Sequence, residues 1–263
     1  MNCKICNHKV TNIFSEKVLN KYDVCYYHCI NCDFIQTDDP FWLSEAYSEP
    51  INNEDTGLVG RNLLFAKLTS MLLYNLFHKN GQFLDYAAGY GLFTRLMRDY
   101  GFDFYWHDPY TTNLFAQQFE FDLSLNKKFE LVSAFECFEH FEQPISEIEK
   151  LIKLSDNILF STELYSDSPP KPDNWDYYAF SHGQHIAFYS LNTLKLIAKK
   201  FNLNLYTNGK SFHLLTHKVI SNNFYNLLLM LSHLGLPTLV KYLMGSKTLS
   251  DSKSIINNKK QKA

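Results

Sequence analysis

The stretch Phe83-Leu84-Asp85-Tyr86-Ala87-Ala88-Gly89-Tyr90-Gly91-Leu92-Phe93 decides how the rest of this 263-residue chain is read. An apolar run ending in an acid is the pattern of a buried strand, and two closely spaced glycines then turn the backbone toward a helix start. Glycine has no Cβ, so at Gly89 and Gly91 the main chain can take positive φ and come close to a bound molecule. The free amides of the first helical turn face the same crevice. A second strand-like run, Tyr105-Trp106-His107-Asp108-Pro109, ends in another acid about 20 residues on, where Rossmann-like sheets hold a ribose by its hydroxyls. The last glycine of a dinucleotide fingerprint is missing, since Thr94 follows Leu92-Phe93, and no phosphate-holding lysine comes after it. A nucleoside with free ribose hydroxyls is the expected ligand. The plain alternative is an ordinary strand-to-helix turn; the second acid at the right distance weighs against it.

These residues resemble the class I S-adenosylmethionine methyltransferases, whose cofactor carries no phosphate. The resemblance implies a Rossmann-like α/β fold with a mostly parallel sheet ending in an antiparallel hairpin. It also implies a cofactor site drawn from Asp85, Ala87, Gly89, Gly91, Asp108, Pro109 and Phe135. Arg61, near the start of a preceding helix, can reach the cofactor carboxylate, with an exposed surface arginine as the alternative.

A composition of 46% hydrophobic and 16% aromatic residues suffices for one full α/β domain plus a small appendage. The formal charge of −2 provides no global basic field, which argues against nucleic acid as an obligate partner. Met1 to Val10 lacks the apolar run of a signal peptide, so a cytoplasmic protein is expected. Phe224 to Met244 is apolar but interrupted by Ser232, His233, Gly235, Pro237 and Lys241. A span needs about 20 nearly uninterrupted apolar residues, so a helical pair packing on the main domain, or on a second subunit of a homo-oligomer, is expected instead.

Five of the six cysteines precede residue 33. Cys3-x-x-Cys6 and Cys29-x-x-Cys32 form two knuckles separated by a strand-rich stretch, the ligand spacing of a structural zinc ribbon. Cys25 is then a strand residue, and His8 and His28 are weaker substitute ligands. Disulfides, disfavoured in a reducing cytosol, and free buried thiols are the alternatives. Asp38-Asp39-Pro40 and Glu49-Pro50 punctuate a linker, and 56–79 reads as helix. The expected organisation is a zinc-binding module over 1–38, linker and helices over 39–80, a cofactor-binding core over 81–216, and helices with a polar tail over 217–263. The tail from Ser246 to Ala263 reads as disordered.

Alternation continues after Asp108: strands near 129–135 and 157–162, helices at 145–154 and 191–201, and a hairpin over 203–207 and 211–216. The first of these strands runs into Glu136-Cys137-Phe138-Glu139-His140. Two carboxylates and an imidazole at i, i+3 and i+4 can face one point from a strand end and a first helical turn. This Glu-x-x-Glu-His pattern resembles the metal motif of O-methyltransferases of ubiquinone biosynthesis and small-RNA 2′-O-methylation. That resemblance implies a fourth ligand from Ser181-His182-Gly183-Gln184-His185, with His185 favoured. A set of Glu136, Glu139, His140 and His185 without thiolate suits Mg²⁺ or Mn²⁺. The alternatives are a helix start in which the acid complements the dipole, or histidine base catalysis by His140 or His182.

Between these segments, three prolines precede the aromatics Trp175, Tyr177, Tyr178 and Phe180, a composition suited to a lid over a small polar ligand. Sealing a sheet edge is the alternative. Taken with the cysteine knuckles, the chain resembles bacterial sugar and small-molecule methyltransferases of surface-polysaccharide and natural-product clusters. The resemblance implies a metal-assisted O-methyltransferase using S-adenosylmethionine, Mg²⁺ or Mn²⁺, and structural Zn²⁺. Its acceptor would be a nucleotide-activated sugar or phosphoryl group of a capsule-type glycan. A C- or N-methyltransferase with a histidine base, and a non-catalytic zinc-ribbon module with a vestigial cofactor site, are the alternatives.

Overall fold

The computed structural model describes residues 1–48, 55–125, 127–166 and 168–262. Glu49-Pro50 of the expected linker and Asp167 of the proline-rich loop lie outside the described residues. Along the chain run β1 (Thr11–Val18), β2 (Tyr22–Cys29), β3 (Phe34–Thr37), α1 (Leu43–Ala46), α2 (Leu58–Leu76), β4 (Gln82–Tyr86), α3 (Leu92–Asp99), β5 (Asp103–His107) and β6 (Leu131–Ala134). There follow α4 (Pro144–Leu154), β7 (Asn157–Ser161), β8 (Leu164–Tyr165), β9 (Ala187–Ser190), α5 (Leu191–Lys200), β10 (Asn204–Thr207), β11 (Phe212–Thr216), α6 (Asn222–Leu231), α7 (Leu236–Met244) and α8 (Thr248–Lys262). The architecture is a Rossmann-like α/β fold with mixed strand directions. Its residues form two compact units, each built from two separate stretches: Met1–Glu54 with Ala134–Val219, and Asp55–Ser133 with Ile220–Ala263.

In the second unit β4 pairs in parallel with β5 on one side and with β6 on the other, Phe83 opposite Phe104 and Leu131. Phe83 and Leu84 are fully buried, as expected for a parallel strand covered on both faces. Helix α2 packs on α3, α6 and α7. The tail expected to be disordered is instead the helix α8. Asp251 on α8 meets the guanidinium of Arg98 through two bonds of 2.8 Å, with both side chains nearly buried. A local composition rule cannot see a partner 153 residues away.

In the first unit β1, β2 and β3 are antiparallel, β3 pairs with β9, and β8 completes a five-stranded sheet. The strands of the N-terminal segment thus share one sheet with β9 and β8, and the cysteine cluster at their ends fits a small zinc module. β3 is short and buried along its length, and β9 pairs with the edge that β2 leaves open. Tyr26, Ile35, Trp42, Tyr178, Ile186 and Phe188 form the core over this sheet. The remaining strands pair antiparallel, β7 with β11 and β11 with β10. Ser190 caps α5 by accepting from the Thr193 amide at 3.1 Å.

Candidate active site

In the second unit the end of β4 carries Asp85, which is only 3% exposed. Its carboxylate accepts from Thr94 Oγ1 at 2.8 Å and Ser133 Oγ at 2.9 Å. Burial pushes its pKa up to about 7, and these two hydroxyls temper the rise. The following turn runs through left-handed backbone at Ala87 (φ 55°), Gly89 (φ 53°) and Gly91 (φ 84°). A Cβ on Gly91 would meet Asn113 Oδ1 at 2.7 Å, so glycine is required there. Ala87 holds the same region without that freedom, a strained corner at the carboxyl end of a parallel strand, where α/β sheets bind ligands.

Asp108, at the equivalent end of β5, is oriented by three backbone amides. Gly89 N donates to Oδ2 at 2.9 Å, and Tyr110 N and Thr111 N donate to Oδ1 at 2.8 and 3.0 Å. The Gly89 carbonyl is held in turn by Trp106 Nε1 at 2.9 Å and Thr111 Oγ1 at 2.8 Å. A carboxylate has about four lone-pair sites, so with three amides bound Asp108 keeps one acceptor site for a ribose hydroxyl. Pro109 follows it at an exposed position. Arg61 makes a bidentate pair with Asp55, and Phe135, in the first unit, stacks on Phe212 with centroids 5.7 Å apart. The hydroxyls of Thr94 and Ser133 that hold Asp85 were not expected from sequence, because no spacing rule pairs a strand acid with a neighbouring strand's serine.

The first unit holds a cluster of carboxylate and imidazoles. One 3₁₀ turn, Phe138–His140, follows β6. Ligand atoms of Glu139, His140 and His185 all lie within 4.8 Å of one another. Glu139 is fully buried, and among the described residues neither carboxylate oxygen has a hydrogen-bond partner. Burial pushes its pKa up to about 8, the Glu136 carboxylate adding to the rise. The hydroxyls of Tyr177 and Thr162 temper it without reaching hydrogen-bond geometry. His140 Nδ1 lies 3.0 Å from the Gln184 carbonyl, and His185 Nδ1 lies 2.6 Å from the Tyr177 carbonyl. A carbonyl only accepts, so both rings carry the proton on Nδ1 and direct the Nε2 lone pair elsewhere, the tautomer that a metal ligand adopts. Burial holds the pKa of His140 down to about 4.

Glu136 falls outside this group. Its backbone is left-handed (φ 48°), its amide donates to Ser161 Oγ at 2.7 Å, and its carboxylate accepts from the same hydroxyl at 2.5 Å. His182 reaches only the edge of the cluster, its ring centroid 5.3 Å from that of His185. Gly183 (φ 66°) brings the loop between them against β1, where a Cβ would meet Val18 Cγ1 at 2.5 Å. Of the lid aromatics, Tyr177 sits beside the cluster with its ring 4.6 Å from that of His185. Trp175 donates to Glu163 at 2.7 Å. Tyr178 is 1% exposed and donates to the Pro170 carbonyl, so it belongs to the core of the sheet. The two carbonyls that set the imidazole tautomers leave no trace in sequence, since every residue has one.

Cys3, Cys6, Cys29 and Cys32 also converge, with Cys3 and Cys32 sulfurs 3.5 Å apart and Cys6 and Cys29 sulfurs 3.4 Å apart. These separations exceed a disulfide bond and match neighbouring vertices of a tetrahedral thiolate site. The bond to Cys32 holds the Cys3 thiol down to about 5 and drives Cys32 far above the ordinary thiol range. Cys25 lies apart, against Ser15 Oγ at 3.2 Å. His8 bonds the Cys6 carbonyl, and His28 faces Asp33.

The profile of the methyltransferase-domain family matches residues 60–208, more than half of the chain. Among solved structures, the plantazolicin methyltransferase BpumL is 14% identical, with 67% of this chain and 93% of that one covered and a TM-score of 0.48. The magnesium protoporphyrin IX methyltransferase of Synechocystis PCC 6803 is 12% identical, covering 67% and 95% with a TM-score of 0.41. An O-methyltransferase family protein from Burkholderia thailandensis is 11% identical, covering 62% and 57% with a TM-score of 0.43. No curated protein matches the chain in sequence.

Proposed function

The chain belongs to the methyltransferase-domain family and is an S-adenosylmethionine-dependent methyltransferase; on that premise we propose that it methylates an oxygen of a small polar acceptor with help from a divalent cation. The observation that carries this reading is Glu139. A buried acid whose two oxygens have no hydrogen-bond partner among the described residues must stay protonated unless a cation meets its carboxylate. Two imidazoles fixed in the metal-binding tautomer converge on the same point. The oxygen and nitrogen donors suit Mg²⁺ or Mn²⁺, which when bound would lower the pKa of an acceptor hydroxyl.

The chain's own residues supply the rest. Asp108, preset by three amides, would accept a ribose hydroxyl of the cofactor, while the Gly91 turn leaves room for close approach. Asp85 braces the turn through Thr94. The backbone carbonyls of Gln184 and Tyr177 hold the imidazoles in place, and the Tyr177 ring walls one side. Hexose hydroxyls and phosphoryl oxygens are acceptors of suitable polarity, which fits a nucleotide-activated sugar or phosphoryl group of a capsule-type glycan. The four cysteines would hold structural Zn²⁺ beneath the N-terminal strands.

Histidine base catalysis is less well supported, because a base held well below neutrality transfers protons poorly at pH 7. The intact Asp85, Gly89, Gly91 and Asp108 weigh against a vestigial cofactor site. The test is chelation. EDTA should abolish transfer to a competent acceptor while leaving cofactor binding nearly intact, and Mn²⁺ should restore it. Turnover unaffected by chelation would move the assignment to a histidine base.

A further inference from the structure

The stretch from Ile220 to Ala263 differs in charge from the rest of the chain. It contains six lysines and one acid, whereas the other residues hold 19 Lys and Arg against 26 Asp and Glu. That one acid, Asp251, is already engaged by Arg98 and Arg95, so the lysines have no internal counterweight in this stretch.

The same stretch leaves apolar side chains in water. On α6, Phe224, Leu227 and Met230 recur every third residue on one side, away from the buried Tyr225, Leu228 and Leu229, and Leu234 in the turn that follows is exposed as well. On α7, Leu239, Tyr242 and Leu243 share a face and are 51%, 83% and 55% exposed. On α8, Leu249, Lys253, Ile256 and Lys260 alternate apolar and basic along one stripe, all exposed. Among the described residues no single helix is long and apolar enough to cross a membrane, and α6 and α7 meet at an 88° bend. At 1.5 Å per residue each is about 15 Å long, half a hydrocarbon core.

We propose that α6, α7 and α8 form a peripheral docking surface for an anionic lipid bilayer, with the exposed leucines and aromatics entering the headgroup boundary and the lysines meeting lipid phosphates. Short amphipathic helices with basic flanks bind membranes in this way. A second copy of the chain is a poorer occupant, because two such basic faces repel each other. Nucleic acid would leave the aliphatic side chains without a partner.

The full chain is mixed with vesicles of phosphatidylcholine alone or with about 30% phosphatidylglycerol and floated on a gradient. The wild type should float with the anionic vesicles at least about tenfold more than with the neutral ones, and high salt should weaken the association. Two variants, Leu234→Ser with Leu239→Ser and Lys253→Glu with Lys260→Glu, should each lose most of the binding while unfolding at the wild-type temperature. All these side chains are exposed, so the variants should fold. Equal recovery with both vesicle types, or none with either, overturns the proposal. So does a dimer in light scattering that the leucine substitutions dissociate without any vesicle binding.

Discussion

The Nδ1–H of His185 donates to the carbonyl of Tyr177 at 2.6 Å, so the same residue that walls the carboxylate–imidazole cluster with its ring also sets the tautomer of a candidate ligand with its backbone. His140 is held in the same way by Gln184, and Gln184 is anchored through its own amide to the Ala46 carbonyl at 2.8 Å. The cluster thus rests on backbone acceptors, which side-chain substitution cannot easily remove.

That arrangement separates two neighbouring acids. Glu139→Ala should abolish Mn²⁺ binding, whereas Glu136→Ala should retain it, because the Glu136 carboxylate is turned to Ser161. Electron paramagnetic resonance of added Mn²⁺ reads both variants directly. Equal loss in the two would show that the sites merge when metal enters.

The cofactor site makes a separate demand. The wild type should bind S-adenosylmethionine in a calorimeter, and Asp108→Ala should weaken binding by about one to three kcal/mol, roughly five- to 150-fold, as a buried ribose hydroxyl loses its acceptor. A wild type that takes up no heat with the cofactor ends the reading of this crevice.

For the cysteines, metal analysis of protein purified without chelator should find one zinc per chain. Cys29→Ser should lower the yield of folded protein more than it alters the turnover of the molecules that fold, since a closed four-thiolate site serves folding alone. Finding no zinc in the wild type sinks this assignment.

Asp251→Ala leaves the Arg98 guanidinium nearly buried with Asp103, the Phe104 carbonyl and the face of the Phe119 ring as its remaining partners. Removing one member of a buried pair costs about 3 kcal/mol or more, and here the other contacts soften the loss to about 2 kcal/mol. Thermal unfolding should show that loss, and hydrogen exchange should show α8 opening first.

His213 provides a pH signature. Its ring bonds Thr207 Oγ1 and the Thr162 carbonyl inside the sheet, and burial holds its pKa down to about 4 from an ordinary 6.5. The unfolded chain therefore takes up a proton before the folded one does. Its stability contribution is present above pH 6.5 and is lost as pH falls toward 4, about 3 kcal/mol over the window. Denaturant unfolding from pH 7 to pH 4 should show a shallower decline in His213→Gln than in the wild type.

Much of this was legible in sequence because the physics there is local. The 83–93 turn reads directly, since only glycine tolerates the backbone at Gly91, and the cysteine spacing brings four sulfurs together through two tight knuckles. Strand and helix periodicity located α4, α5 and the β10–β11 hairpin within a residue or two. Tertiary structure decided the rest. It joined β3 to β9, engaged the Glu136 carboxylate with Ser161, moved Tyr178 from an expected lid into the core, and ordered α8 through Arg98. Each of those outcomes depends on a partner distant in sequence or on a backbone carbonyl, and neither carries a residue-type signal along the chain.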